Sequence, residues 1–235
     1  GIIDGDYRIT GDYRNQWGNY GKPFSTAGVA VDAATDKNIG VGLNVMNMSA
    51  GDAGYNFFNA MASVSYSGVK FGRTKTTQLV FGMNAGLINR RLDPSKFQTG
   101  LMWSPVGGFD PSIYNGENLS KTNSTQFDIG AGTVFFDGNP NHILNPFVGF
   151  AAQHLNTPKD PFASEGAEKD LPVRWLFHGG TKIKVSDKIS LTPTALYMHQ
   201  GNAEETVAGI YAQMLVNPEF DFLIGTNFRF NDAVI

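Results

Sequence analysis

The sequence contains no cysteine, so disulfide frameworks, thiolate metal sites and cysteine nucleophiles are all excluded. It also lacks an excess of basic residues, because it has 18 Lys and Arg and 21 Asp and Glu. A net negative charge does not attract nucleic-acid phosphates. No run approaches the roughly 20 apolar residues of a membrane helix, and residues 1–24 have neither the basic start nor the apolar centre of a signal peptide. If the chain meets a membrane, it must do so through strands.

Glycine and aromatic residues are abundant instead. The chain has 28 Gly, 18 Phe, 8 Tyr and 3 Trp among its 235 residues, whereas only 17% of its residues are charged. Aromatic side chains favour strands and glycine favours tight turns, so this usage is typical of a β-barrel or a β-sandwich. The composition therefore predicts an all-β fold.

Polar and apolar residues alternate with the period of two that a half-buried strand requires. The clearest case lies between Asp6 and Trp17, where every second residue is polar. The same period predicts eleven strands, at 6–17, 27–31, 39–45, 60–67, 79–87, 127–135, 143–154, 174–185, 189–199, 207–216 and 222–230. Many of these segments are about 9 to 12 residues long, which suits a tilted strand crossing a bilayer, whereas strands of soluble domains are usually about 5 to 6 residues.

The connections between the strands favour a membrane barrel over a sandwich. Both long connections, 92–124 and 157–172, follow odd-numbered strands, and the connections after even-numbered strands are short or compact. Bacterial membrane barrels show this parity, with short periplasmic turns and longer outer loops. We therefore expect a single transmembrane antiparallel β-barrel domain over residues 1–235, surrounded by outer-membrane lipid, with both long loops at the cell surface. An odd number of strands would leave an unpaired edge in lipid, so we also expect the domain to be truncated.

Several short motifs make this interpretation specific. They are 13–17 (YRNQW), 37–42 (KNIGVG), 109–111 (FDP), 137–141 (DGNPN), 145–149 (NPFVG), 153–155 (QHL) and the ending 230–235 (FNDAVI). Each is similar to a motif of the PorP/SprF family, and the combination extends over the whole chain. The chain therefore resembles a PorP/SprF protein from end to end.

This resemblance implies a role in type IX protein secretion. Proteins of the family sit in the bacterial outer membrane, associate with other type IX secretion subunits, and receive or retain secreted adhesins through the C-terminal domains of those adhesins. The resemblance implies no catalytic residues. The signal peptide, an N-P-A motif and the closing strands of the family are missing here, so it implies truncation at both ends and about fourteen strands in the complete protein.

Candidate chemical sites are weak. The four histidines, His142, His154, His178 and His199, lie on different segments without the i, i+2 or i, i+4 spacing of a metal site, so we expect polar lumen or interface positions for them. A serine nucleophile with His178 or His199 is compatible with the spacing, yet no nucleophile motif supports it. We expect no enzymatic activity, no metal and no cofactor.

The first long connection carries aromatic residues among Gly and Pro. They are Phe97, Trp103, Phe109 and Tyr114, in a segment too long to serve only as a connection. Either these side chains fold inward as a plug, or they form an anchor surface for a partner. Phe162, in the second long connection, joins either cluster. These five are the candidate partner-binding residues.

The leading hypothesis is a binding and anchoring protein that holds a secreted protein or a secretion subunit through its outer loops, while its short turns face periplasmic machinery. The first alternative is a channel for small solutes. It is supported by polar residues expected to face the lumen, namely Arg8, Arg14, Asn84, Asp128, Lys182, Lys184 and Arg229. The second is a barrel enzyme acting on lipid or protein, for which the sequence offers no motif.

Overall fold

The computed structural model describes residues 6–16, 18–19, 22–35, 37–51, 54–116, 121–160, 169–217, 220–230 and 233–234. Its strands are β1 (Tyr7–Gln16), β2 (Phe24–Ala34), β3 (Ile39–Ala50), β4 (Tyr55–Phe71), β5 (Thr77–Arg91), β6 (Trp103–Ser104), β7 (Gly108–Phe109), β8 (Asn123–Asp137), β9 (Leu144–Gln153), β10 (Lys159–Asp160), β11 (Lys169–Asp170), β12 (Arg174–Lys184), β13 (Ile189–Gln200), β14 (Ala203–Asn217), β15 (Phe220–Arg229) and β16 (Ala233–Val234). Short 3-10 helices at Pro94–Lys96 and Gly100–Met102 are the helices of the described part, and neither is long and apolar enough to span a membrane.

One antiparallel sheet contains most of the strands. Its order is β1-β2-β3-β4-β5-β8-β9-β12-β13-β14-β15-β16, so each long strand pairs with the long strands before and after it in the chain. The pairs β6–β7 and β10–β11 form two small ribbons inside the two longest connections. The eleven long strands correspond one to one with the eleven strands predicted from the alternation, so the predicted all-β antiparallel order is confirmed.

Some strands are longer than the alternation predicts. β4 and β5 extend well past the predicted segments 60–67 and 79–87. In β4 the register shifts between Tyr66 and Val69, and such a bulge interrupts the period of two that the prediction used. β8 starts at Asn123, so the first long connection covers 92–122, and the second covers 154–173 because β9 ends at Gln153.

The two faces of the sheet differ in chemistry. One face carries exposed apolar side chains, among them Leu43, Phe81 and Phe127. The residues that alternate with them, such as Asn44 and Asn84, line a cavity on the opposite face. The predicted alternation is therefore present, with the polar residues inside. The exposed apolar face has the chemistry that the lipid-facing side of a membrane strand requires.

The sheet is curled and its strands are staggered. One unbroken row of cross-strand partners runs through Tyr7, Ala33, Val41, Val64, Met83, Ala131, Ala152, Trp175, His199 and Glu204. Tyr7 begins β1, at the end of the sheet that carries the short turns, whereas Glu204 lies at the opposite end, beside the β13–β14 turn. Strands must be tilted and staggered in this way for a sheet to close into a barrel. Consistent with the curl, β3 and β14 both contribute to the same cavity.

Glycines on the cavity side give polar neighbours room. A Cβ atom on Gly28 would lie 2.5 Å from Asp12 Oδ1 on the adjacent strand, and one on Gly130 would lie 2.5 Å from Asn84 Oδ1. Side chains that reach across a paired strand therefore need glycine there. This pairing of polar residue with glycine lets charged and amide groups cover the concave face without filling it.

Candidate functional site

The first long connection, 92–122, is held together by its own polar contacts. Asp93 Oδ1 accepts hydrogen bonds from the Ser95 N–H (3.3 Å) and hydroxyl (2.6 Å), and Thr99 donates to the Asn115 carbonyl (2.7 Å). Asp110 accepts in the same way from Ser112. The hydroxyl hydrogen bond from Ser95 lowers the pKa of Asp93 below its ordinary value, so the Asp93 turn is made by an ionised carboxylate at neutral pH.

The first long connection carries aromatic side chains that differ in exposure. Trp103 and Phe109 face each other across the β6–β7 ribbon with ring centroids 5.5 Å apart. Trp103 is 57% exposed and Tyr114 is 65% exposed, whereas Phe97 and Phe109 are half-buried. Phe162 lies outside the described residues. The loop thus presents rings to solvent on a structured base.

The same loop also carries exposed aliphatic residues. Val106, at the tip of the β6–β7 ribbon, is 100% exposed, and Leu101 and Ile113 are exposed as well. These three residues were not predicted, because single aliphatic residues in a Gly- and Pro-rich loop follow no periodicity. The apolar loop surface consists of Leu101, Trp103, Val106, Phe109, Ile113 and Tyr114. Its extent exceeds what the aromatic residues alone suggest.

The concave face of the sheet encloses a cavity of about 1250 Å³. Its walls come from β3, β4, β5, β8, β9, β12, β13 and β14, with Asp170 to Pro172 and Gly201 to Ala203 at one end. Phe97, Trp103, Phe109 and Tyr114 are not among the residues that line it. In the described part of the chain, the predicted aromatic cluster therefore lies outside this cavity.

The stem of the second long connection reaches into the mouth of this cavity. Gln126 Nε2 donates to the Lys159 carbonyl (3.0 Å), and Gln200 Nε2 donates to the Pro172 carbonyl (3.1 Å). The two halves of the stem are joined by a hydrogen bond from the Leu171 N–H to the Pro158 carbonyl (2.9 Å). This connection, predicted only as a surface loop, is tied at its base to the lumen wall.

The lumen wall carries a buried polar cluster. His154 Nδ1 donates to Asp128 Oδ1 at 2.9 Å, and both side chains are buried. Arg174 lies on the same wall and donates from Nε to Gln200 Oε1 (2.8 Å). Arg90 completes the charged lining, with its guanidinium carbon 5.9 Å from the centre of the Phe57 ring. Two of the predicted lumen residues, Asn84 and Asp128, are among the lining residues, while Lys182 shares the face by alternation.

The histidines occupy separate places. His142 makes a 2.6 Å contact with Asp137 beside the β8–β9 turn, His154 pairs with Asp128, and His178 packs 6.2 Å from the Phe147 ring. His199 lies on the convex face, where its cross-strand neighbours are Trp175 and Glu204. Within the described residues, no three His, Asp or Glu side chains come together in a way that could hold a metal ion.

Comparison with known families decides the assignment. The family model described as type IX secretion system membrane protein PorP/SprF matches residues 2–235. The chain belongs to the PorP/SprF family. A search of curated proteins finds no match to it. Membership makes this chain a membrane component of the type IX secretion system, and it confirms the resemblance inferred from the short motifs.

Three of the PorP/SprF-like motifs lie where a strand ends. Asn38 has a positive φ of 60° and its carbonyl accepts from the Ser67 N–H (2.8 Å). Asn139, in the turn after β8, is buried and receives the Asn141 N–H on its side-chain oxygen (3.0 Å). His154 also has a positive φ of 60°, a conformation that His adopts more readily than most residues. These three motifs therefore fix the backbone where strands reverse, whereas residues 13–16 lie within β1 and residues 145–149 within β9.

Proposed function

We propose that this PorP/SprF protein sits in the outer membrane and anchors a secreted protein, such as an adhesin with a C-terminal sorting domain, at the cell surface. The observation that carries the proposal is the apolar loop surface. Five of its six side chains are exposed and Phe109 is half-buried, yet the loop that bears them is braced by its own hydrogen bonds and stands apart from the cavity. An exposed apolar group on a rigid base is the usual form of a protein-binding hot spot. The role is binding alone, without catalysis.

The short turns at the other end of the sheet suit contacts with periplasmic secretion subunits. They are compact and carry charged groups, since the side chain of Asp187 in the β12–β13 turn is 96% exposed and forms an ion pair with Lys184 at 3.0 Å. Polar rims of this kind give specificity and orientation more than affinity. The protein would thus link secreted cargo outside to the machinery below.

The test is the combined replacement of Trp103, Phe109 and Tyr114 by Ala. Because buried aromatic anchors contribute about 2 kcal/mol or more each at an interface, we expect at least a tenfold loss of the secreted proteins that depend on this chain for surface retention. The amount of folded protein in the outer membrane should not change, since none of the three lies in the large sheet. Replacing the exposed Gln98 and Pro105 of the same loop by Ala is the matched control. Unchanged retention in the triple variant contradicts the proposal.

A channel for small solutes is the second candidate. The cavity of about 1250 Å³ on the concave face favours it, because polar side chains such as Asn84, Asp128 and Arg174 are among its lining residues. Solute-dependent conductance of the purified protein in planar bilayers would support this role. Conductance and anchoring are separable, because the lumen lining and the apolar loop surface share no residue among those described.

A further inference from the structure

We propose that the part of β8 nearest the long connections, from Asn123 to Phe127, receives an extended segment of the secreted partner as an added strand. This inference rests on the proposed anchoring function and names its mode of recognition. The edge formed by 123–127 on the side away from β5 is called here the β8 edge.

The β8 edge exists because two neighbouring ladders differ in length. The pairing of β5 with β8 continues up to Arg91 and Asn123, whereas the pairing of β8 with β9 stops at Ala131 and Ala152. Beyond Ala131, β8 therefore pairs with a strand on one side only, and β10 approaches it from the lumen side without pairing. β8 is a central strand of the sheet, between β5 and β9. Strands that pair with the first or the last strand of the sheet would therefore not cover this edge.

The direction of the backbone groups follows from the contacts just below the edge. The Ile129 carbonyl accepts from the Leu155 N–H (2.9 Å), and the Ile129 N–H donates to Asn156 Oδ1 (3.1 Å). Both backbone groups of Ile129 thus point away from β5. Alternate residues of an antiparallel strand point the same way, so those of Phe127 and Thr125 do so as well.

Asn156 already acts in place of a strand residue at this edge. Its Nδ2 donates to the Phe127 carbonyl (2.6 Å) while its Oδ1 accepts from Ile129, which is the donor and acceptor pair that a paired strand would supply. Above it, among the described residues, the Phe127 N–H and both backbone groups of Thr125 have no partner on this side. The pairing begun by Asn156 is therefore left open for a further strand.

The surroundings favour a protein strand over lipid. Asn89 Nδ2 donates to Asn123 Oδ1 (2.8 Å) and to Thr125 Oγ1 (2.7 Å), so the convex face beside the edge is polar there. On the concave side Gln126 and Ser124 are buried, and Gln126 holds the Lys159 carbonyl. A strand can therefore approach only from outside the lumen, where Thr125 is exposed and Phe127 is 53% exposed.

These features define the occupant. It is an extended segment of about five residues, roughly 16 Å long, that pairs through its backbone and has no proline at the pairing positions. A residue opposite Phe127 would place its side chain against that ring, so an apolar or aromatic residue is favoured there. Backbone pairing supplies affinity and this one side-chain position supplies selectivity.

The test compares Thr125→Pro with Thr125→Val. Proline removes the N–H that faces the open edge without removing a hydrogen bond to β5, whereas valine keeps that N–H and removes only the side-chain contact with Asn89. The readout is the set of secreted surface proteins that deletion of the whole chain removes. We expect Thr125→Pro to lower their retention at least tenfold at unchanged outer-membrane abundance, and Thr125→Val to retain them.

Retention in Thr125→Pro, or an equal loss in Thr125→Val, would overturn strand addition while leaving the anchoring function intact. Should the proline variant fail to assemble, hydrogen exchange of the wild-type chain decides the question. Amide protection at Thr125 and Phe127 that appears only in the complex with the retained proteins supports the proposal, and exchange that is unchanged in that complex overturns it. Protection that instead accompanies self-association of the purified chain assigns the edge to a second copy and also overturns it. If deletion of the chain removes no surface protein, the anchoring function itself fails.

Discussion

At the scale of single residues, the protein separates charge from apolar surface by alternation alone. Arg8 pairs with Asp32 at 2.6 Å and Arg229 with Glu205 at 3.0 Å on the concave side of the sheet. The residues next to them along each strand, such as Ile9 and Phe228, are exposed on the convex side. A shift of one residue would exchange the two faces, so the register of each strand is strongly specified.

A pair of adjacent substitutions tests this register. Leu43 is exposed on the convex face, and Asn44 beside it lines the cavity. An arginine facing lipid near the bilayer midplane costs about 2 to 4 kcal/mol, and much less facing the lumen. We therefore expect Leu43→Arg to reduce outer-membrane abundance clearly, and Asn44→Arg to be tolerated, as measured by immunoblot of membrane fractions and by resistance to heat unfolding. Equal tolerance of the two would contradict the lipid-facing assignment.

At the scale of elements, the strands could be predicted from the sequence and one loop could not. The strand period is a local signal, because the alternation of polar and apolar side chains can be recognised from adjacent residues alone. All eleven long strands were predicted from it. The stem of the second long connection depends instead on Gln126 and Gln200, which hold carbonyl groups 33 and 28 residues away. No local pattern marks such a backbone acceptor, so the stem was predicted only as an outer loop.

The stem should control access to the lumen. Replacing Gln126 and Gln200 together by Ala removes the hydrogen bonds that tie Lys159 and Pro172 to the wall, so the residues at the cavity mouth are released. We expect higher single-channel conductance in planar bilayers than for the wild type. Gln213→Ala is the control, since Gln213 bonds Lys182 (2.7 Å) on another part of the wall. A double variant that conducts like the wild type would show that the stem does not restrict the lumen.

At the scale of the whole molecule, the family and the fold were accessible from the sequence, whereas the separation of the apolar loop surface from the described cavity was not. The aromatic cluster was predicted as either a plug or an anchor, and only the three-dimensional arrangement shows that it lies apart from the described cavity. The motifs that reveal the family include the turns at Asn38 and Asn139 and the element 109–111 in the first long connection, but none of them indicates which loop side chains are exposed. Exposed apolar residues in those loops follow no period, and for that reason Leu101 and Val106 were not predicted.

The two ends of the sheet should lie on opposite sides of the outer membrane. Single cysteines at Val106, in the first long connection, and at Asp187, in the β12–β13 turn, test this, because both positions are almost fully exposed and the natural chain has no cysteine to give background labelling. If the long connections face outward, a membrane-impermeant maleimide should label Val106→Cys in intact cells and label Asp187→Cys only after the outer membrane is permeabilised. Comparable labelling of both variants in permeabilised cells serves as the control for reactivity. The reverse pattern in intact cells would place the apolar loop surface in the periplasm, where it would meet secretion subunits before export and could not anchor a protein at the surface.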